Sequence, residues 1–303
     1  MNDIQLSDLV RAGGGLWCLD MSLLPRYITR DTAELKRRLP RMDGAVAVIP
    51  VDGVLTPKGS HWTTSTERIG RAVEAAMAHR QITGVVLDVD SPGGSGYGLM
   101  EFADKLHSMR SVKPIVAQVN PIAASAALWT ASAASRIVVT PSGDIGSLGV
   151  YSMHVDYSGA LAAEGVAVTF IHAAKYKVEG NPYQPLTDEA REEIQRGVDE
   201  LYGDFVSAVA RNRGVSRAHA LERFGEGRLL SATKAVSVGL ADRVGTLADT
   251  LREVGATDGD VRRSASDALP VLMAAWNGEP LSAVKVRYTD AATRNRARRK
   301  IPC

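Results

Sequence analysis

NPIAASAALWTASAASRIVVTPSGDIGSLGV, residues 120–150, decides how the rest of the chain is read. Ser125 stands between alanines at the start of a small-residue helix, followed at once by a strand, RIVVT, and a glycine-punctuated loop. The first turn of a helix leaves its N–H donors unpaired and carries a partial positive charge. A serine there has its own N–H and its neighbour's free, the setting an acyl-transfer nucleophile needs. The plain alternative is an alanine-rich helix packed tightly on a sheet with Ser125 as its cap, the usual work of a serine at that position.

Toward the N-terminus, PIVAQVN (114–120), GVVLDVD (84–90) and AVAVIPV (45–51) are continuous apolar runs, the pattern of strands buried on both faces. Between them, residues 65–79 carry Ile69, Val73, Ala76 and Met77 at helical spacing, and 97–109 read as a second helix. Strand and helix alternating at this pace predict a parallel sheet with right-handed crossovers. Toward the C-terminus, RIVVT (136–140), GVYSMHV (149–155) and VAVTFIH (166–172) read as strands and 156–164 as a short helix. A long amphipathic helix begins near Thr187, with Ile194, Val198, Leu201, Phe205 and Val209 on one side and Asp188 and Glu189 at its positive end. A helical segment, ATKAVSVGL (232–240), then leads through ADRVG to a last helix near 246–254. The folded body thus spans residues 44–255. Residues 1–43, with apolar patches around Trp17 and a basic KRRLPRM, read as an arm packing on the body or on a neighbour. Residues 256–303 read as a flexible tail containing an apolar island, ALPVLMAAW (268–276), and five basic residues from Arg294 to Lys300. The tail is expected to dock to other proteins, and its small Ala274-Ala275 to fit a cleft walled by the serine helix.

Composition narrows the function. A chain of 303 residues, 45% hydrophobic and with net charge +2, is an ordinary soluble protein with nothing that points to nucleic acid. Its two cysteines, Cys18 and Cys303, have no metal-ligand spacing and make no disulfide framework, which fits a reducing, cytoplasmic setting. The opening MNDIQLSDLV is acidic where a signal peptide is basic, and no apolar run approaches membrane-spanning length, so neither a signal nor a membrane anchor is expected. The GxSxG, HExxH, phosphate-binding GxxxxGK[ST] and strand-following GxGxxG motifs are all missing, and no cofactor or metal is expected. His154 and His172 end predicted strands and could reach Ser125, but neither has an acidic orienter nearby. A lysine is the better base, Lys175 or Lys177 in the loop AAKYKVEGNPYQP, provided burial lowers its pKa by about three units, roughly 4 kcal/mol. Gly93-Gly94, after a strand, let backbone N–H groups face a substrate carbonyl without a Cβ in the way.

VDSPGG (89–94), AASAALW…ASAASRIVVTPSGDIGSLGV (123–150) and AAKYKVEGNP (173–182), in this order and at these separations, resemble the signal peptide peptidase A family of serine proteases over about residues 44–250. The opening VIPVDGVLTP (48–57) and the missing membrane anchor are more similar to its bacteriophage branch, the prohead proteases of the lambda protein C type. The resemblance implies an α/β, Clp-protease/crotonase-like fold with a mostly parallel sheet and flanking helices, a Ser–Lys dyad and ring-like homo-oligomers. It puts the nucleophile on Ser125, the base on Lys177 rather than Lys175, and the oxyanion hole on the N–H groups of Gly94 and Ala126. Ala126-Ala127-Leu128 departs from the glycine pair or Ala-Tyr of many members, which bears on substrate preference. The implied function is a serine endopeptidase acting on a polypeptide, with capsid, scaffold or portal proteins of a phage head as partners, in the host cytoplasm or within the prohead. The alternatives are a cellular or prophage-encoded peptidase of the same family, a non-catalytic structural component of the prohead, and a crotonase-type acyl-CoA enzyme.

Overall fold

The apolar runs ended by turn residues become the central strands. A computed structural model describes residues 15–28, 39–60, 62–255 and 267–280. In chain order it begins with β1 (Trp17–Leu19), α1 (Leu24–Ile28), β2 (Arg41–Asp43), β3 (Val46–Asp52), β4 (Val54–Thr56) and β5 (Thr63–Ser65). Next come α2 (Thr66–Ala78), β6 (Gly84–Ser91), β7 (Gly93–Ser95), α3 (Leu99–Met109), β8 (Ile115–Ala124), α4 (Ala126–Ser132), β9 (Arg136–Val139) and β10 (Asp144–Gly146). The remainder is mainly helical: α5 (Ser158–Ala163), α6 (Asp188–Arg213), α7 (Arg217–Arg223), β11 (Leu229–Ser231), α8 (Ala232–Ser237), β12 (Arg243–Val244), α9 (Leu247–Gly255) and α10 (Ala268–Asn277).

Strands β3, β6 and β8 pair in parallel at the centre of an eight-stranded sheet ordered β11-β10-β8-β6-β3-β2, with β9 and β12 joined to it through β8. Antiparallel pairs close its two ends, β2 on β3 and β11 on β10. The period of two along each strand divides the apolar side chains between two cores. Ala47, Ile49, Val85, Leu87, Ala117, Val119 and Ile137 enter the large core, which the buried faces of α2, α3, α4 and α6 complete. Their alternates Val46, Val86, Val116 and Val138 make a small core with Leu247, Leu251 and Val254 of α9. The mostly parallel sheet with helices against it is the architecture the resemblance implied.

Two features position what lies at the end of β8. That strand changes partner along its length: residues 116–119 pair with β9, and 122–124 pair with β10. The helix that follows, α4, is clamped by Trp129 stacking on Phe205 of α6, rings 4.6 Å apart and 8° from parallel, both side chains wholly buried. Such a stack adds roughly 0.5–1.5 kcal/mol to the area the rings bury.

The structure corrects three expectations and makes a fourth specific. Residues 149–155 form no strand beyond a single bridge from Tyr151 to Trp17. Residues 166–172 form none either, and Ile171 is 99% exposed. Their alternation suits a pleated surface, but none of the described strands pairs with them. The described part of the arm packs on the body, as one of the two readings expected. Its β1 is the edge of a second sheet, ordered β1-β7-β4-β5, whose partner is the glycine segment Gly93–Ser95. In the tail, residues 268–276 are not flexible chain: they form α10, which packs on α2 and β2 with Leu272, Ala274, Ala275 and Trp276 buried. Arg71 of α2 donates to the Ala275 carbonyl at 3.1 Å, so Ala274-Ala275 serve the core rather than a cleft. The basic cluster at 294–300 lies outside the described residues.

If α10 is part of the fold, Leu272→Ala leaves a cavity in the core and lowers unfolding stability by about 2–5 kcal/mol, read as a lower urea midpoint at unchanged slope. A midpoint equal to that of the parent protein would mean the helix contributes nothing.

Candidate active site

Ser125 lies between the last residue of β8 and the first of α4, with φ 54° and ψ −114°. This is a conformation that residues bearing a Cβ rarely adopt. Two backbone bonds hold it there: the Ser125 N–H donates to the Gly146 carbonyl at 2.9 Å, and the Ser125 carbonyl accepts from the Trp129 N–H at 3.0 Å. A capping serine has extended backbone and accepts from a helix N–H through its oxygen. Ser125 does neither. Its hydroxyl donates instead to the Gly149 carbonyl at 3.3 Å, a long bond that leaves the oxygen's lone pairs unused. The side chain is buried, 1% exposed.

The glycine pair is pressed against this elbow. A Cβ on Gly93, whose φ is +104°, would lie 3.0 Å from both the Ala124 carbonyl oxygen and the Ala126 nitrogen, the peptide units on either side of Ser125. On Gly94 a Cβ would lie 1.9 Å from the Leu55 carbonyl oxygen of β4. Only glycine allows either approach. Ser91 fixes the turn before them by donating to the Gly53 carbonyl at 2.7 Å and accepting from the Gly93 N–H at 3.1 Å. Gly93 of β7 therefore lies against both peptide units that flank Ser125, and Gly94 follows it under β4. As the first helical residue, Ala126 has no carbonyl within α4 for its N–H.

Lys177 is not brought to the serine. It lies in the exposed stretch between α5 and α6, and among the described residues its ammonium makes no hydrogen bond or ion pair. Lys175 is committed elsewhere: its ammonium lies 2.8 Å from a Glu189 oxygen and 2.9 Å from the Tyr176 hydroxyl. Those two bonds, Glu189 first, push its pKa above the usual lysine value, so it holds its proton. The histidines are also engaged away from Ser125, His154 with the Asn181 carbonyl and His172 with that of Ala174.

Two neighbours of the glycine segment and the serine loop were not singled out from sequence. Cys18, in the three-residue apolar run WCL, is buried within β1 and paired in register with Gly94, and its thiol is pushed up to about 12 by that burial. Tyr151 exchanges two backbone hydrogen bonds with Trp17, at 2.9 and 3.0 Å. Beyond Tyr151 a cleft of about 620 Å³ opens toward α6, lined among others by Ser152, His154, Arg191 and Ile194. Among the described residues no cluster of His, Cys, Asp and Glu could hold a metal ion, and no helix is long and apolar enough to cross a membrane.

Comparison with known proteins bears on this geometry. The model of peptidase family S49 matches residues 107–259. The head-tail preconnector protein GP5 of Enterobacteria phage P21 is 35% identical over 219 residues, 71% of this chain and 43% of that protein. Capsid assembly protease C of Escherichia phage lambda is 34% identical over 227 residues, 73% of this chain and 51% of that protein. The chain thus spans about half the length of the curated relatives it matches. Among solved structures, a mutant of the 1510-N membrane-bound stomatin-specific protease aligns with TM-score 0.47 and 16% identity, covering 71% of this chain and 86% of that one.

Backbone strain at Ser125 has a measurable sign. A non-glycine residue in such a region costs about 1–3 kcal/mol, whereas glycine in place of alanine ordinarily destabilises by roughly 0.5–1 kcal/mol. Ser125→Gly should therefore be more stable than Ser125→Ala by about 1 kcal/mol, measured by chemical denaturation. The reverse order would show that the elbow is unstrained.

Proposed function

The chain belongs to peptidase family S49, and from that premise we propose that it is a serine endopeptidase with Ser125 as nucleophile and Lys177 as general base. The carrying observation is the elbow itself: a buried serine at φ 54° that caps nothing, with Gly93 packed against the peptides on both of its sides. In the reaction the Lys177 amine takes the Ser125 hydroxyl proton as the oxygen attacks a peptide carbonyl. The N–H groups of Gly94 and Ala126 bind the developing oxyanion. Collapse of the tetrahedral intermediate breaks the C–N bond, and the amine leaves with the proton from Lys177. A water deprotonated by Lys177 then releases the acyl group and restores the serine.

The pairing of Lys175 with Glu189, which favours the protonated form, supports Lys177 over it as the base. Lys177 needs surroundings that exclude water, and the stretch carrying it points to their source. Val166, Val168, Ile171, Tyr176 and Tyr183 are all exposed there, more apolar surface than one short segment normally leaves in water. Association of copies over this stretch, giving a closed homo-oligomer, would bury those side chains and enclose the Lys177 amine together with a serine site.

The proposed substrates are scaffold or capsid proteins cleaved during phage head maturation, on the strength of the relatives from phages P21 and lambda. The preconnector named for phage P21 favours a second reading, a structural component of the head that keeps the fold without cleavage. Incubation with neighbouring head proteins, followed by mass spectrometry of the fragments, separates the two. Ser125→Ala, Lys177→Ala and Lys177→Arg should each lower cleavage by about 10³-fold or more with the fold intact, the last because a guanidinium keeps its proton. Lys175→Ala should stay within a few-fold of the parent. Cleavage that persists in Lys177→Ala overturns the dyad, and cleavage unaffected by Ser125→Ala overturns the serine mechanism.

A further inference from the structure

Strand β7 has two edges, and β4 takes only one of them. On the other lies β1, antiparallel, with Trp17 opposite Ser95, Cys18 opposite Gly94 and Leu19 opposite Gly93. Two flanking bonds fix the phase of the ladder: Gly96 N–H to the Leu16 carbonyl at 2.9 Å, and Asp20 N–H to the Pro92 carbonyl at 2.8 Å. In an antiparallel pair the bonded positions alternate. Cys18 and Gly94, midway between those two bonds, are therefore a bonded pair, and the Gly94 N–H donates to the Cys18 carbonyl. The point where a Gly93 Cβ would stand is 2.2 Å from that carbonyl oxygen and 3.0 Å from the Ala126 nitrogen. The Cys18 carbonyl thus borders the same small space as both N–H groups assigned to the oxyanion hole.

The opposite edge of β1 is occupied as well, by the two bonds between Trp17 and Tyr151. Tyr151 follows closely on Gly149, whose carbonyl receives the Ser125 hydroxyl. Segment 16–20 is consequently an extended peptide bonded through its backbone on both sides, laid alongside the serine, as a peptide is bound by strand addition. Its fastening lies away from Ser125: Trp17, Leu19 and Leu24 cluster with Val54, and the Tyr27 hydroxyl donates to buried Asp90 at 2.7 Å.

We infer that residues 16–20 are a built-in pseudo-substrate: they fill the slot in which an extended polypeptide must lie for hydrolysis, the Cys18 carbonyl taking the Gly94 N–H, and they must leave before Ser125 can act. This rests on the serine endopeptidase reading and adds to it a regulation of the same site. It also sets a limit on substrates. Whatever replaces Cys18 in register puts its side chain into the core cluster that holds Ala123 and Ala126, so a small, uncharged residue is required there.

The test uses the full chain with Cys303→Ser, leaving Cys18 as the single thiol. Two rates are followed by mass spectrometry: alkylation of Cys18 by iodoacetamide, and acylation of Ser125 by a peptidyl β-lactone with a small side chain, whose ring opens to leave a stable ester. Buried, and with its thiolate disfavoured, Cys18 should be alkylated slowly in the parent. Trp17→Ala, which removes the largest side chain fastening β1, should raise both rates together by at least tenfold. Tyr27→Phe is a milder release should Trp17→Ala not fold. In the parent, molecules already acylated at Ser125 should show Cys18 open to alkylation. Acylated molecules whose Cys18 stays protected, or equal acylation rates in parent and released variants, would overturn the pseudo-substrate while leaving the serine enzyme standing. Failure of every variant to acylate Ser125, with Cys18 freely alkylated in the released ones, would overturn the endopeptidase reading and this inference with it.

Discussion

A strand bonded along both edges cannot run straight into a helix unless one residue absorbs the whole change of direction, and in this chain that residue is Ser125. β8 is paired as far as Ala124, and α4 begins at Ala126. No loop intervenes. The serine is therefore driven to φ 54°, and the cost of about 1–3 kcal/mol is met by what surrounds it. Gly146 holds its N–H and Trp129 its carbonyl. The stacking of Trp129 on Phe205 keeps α4 from swinging back to relieve the turn. A hydroxyl presented in this way has its rotation limited and its backbone neighbours fixed, which is what a nucleophile requires of a scaffold.

The change of partner along β8 makes room for this. β9 accompanies the strand through Val119, and β10 takes over from Ile122, the chain leaving the sheet between them at residues 140–143. Open α/β sheets bind ligands at such points, where the carboxyl ends of strands diverge. The second sheet closes over the same end. β7 is as short as it is because its glycines must pass under the Leu55 carbonyl on one side and against the Ser125 peptides on the other.

Much of this was legible in sequence, and what was not has a common cause. The runs 45–51, 84–90 and 114–120 became β3, β6 and β8 because continuous burial on two faces writes itself into composition. Helices α2, α3 and α6 followed from their spacing, and the elbow from the small residues around Ser125. A local pattern reports that a segment is buried, but not against what. The run WCL is too short to declare a strand, and its partner lies beyond the whole first half of the sheet. The alternation of 166–172 declares a strand for which the described chain holds no edge, and its side chains stand in water. ALPVLMAAW looked like an island in a polar tail because α2 and β2, which cover it, are remote in sequence. The serine and the glycines could be proposed from sequence because a tight turn of small residues is a local pattern. Lys177 was placed by motif alone, and the single chain leaves it exposed.

The long reach of β1 also orders events in time. α2, α3 and the strands between them close over short loops, whereas pairing Trp17 with Ser95 and with Tyr151 closes far larger ones. Loop closure costs more entropy as the enclosed chain lengthens, and contacts distant in sequence form late. During synthesis, moreover, Trp17 leaves the ribosome long before Tyr151 exists. Strand β1 therefore gains its two partners only after the segments carrying Ser95 and Tyr151 have been made. On the pseudo-substrate reading, the interval before β1 docks is one in which the serine stands uncovered, and the docking rate of three residues sets its length.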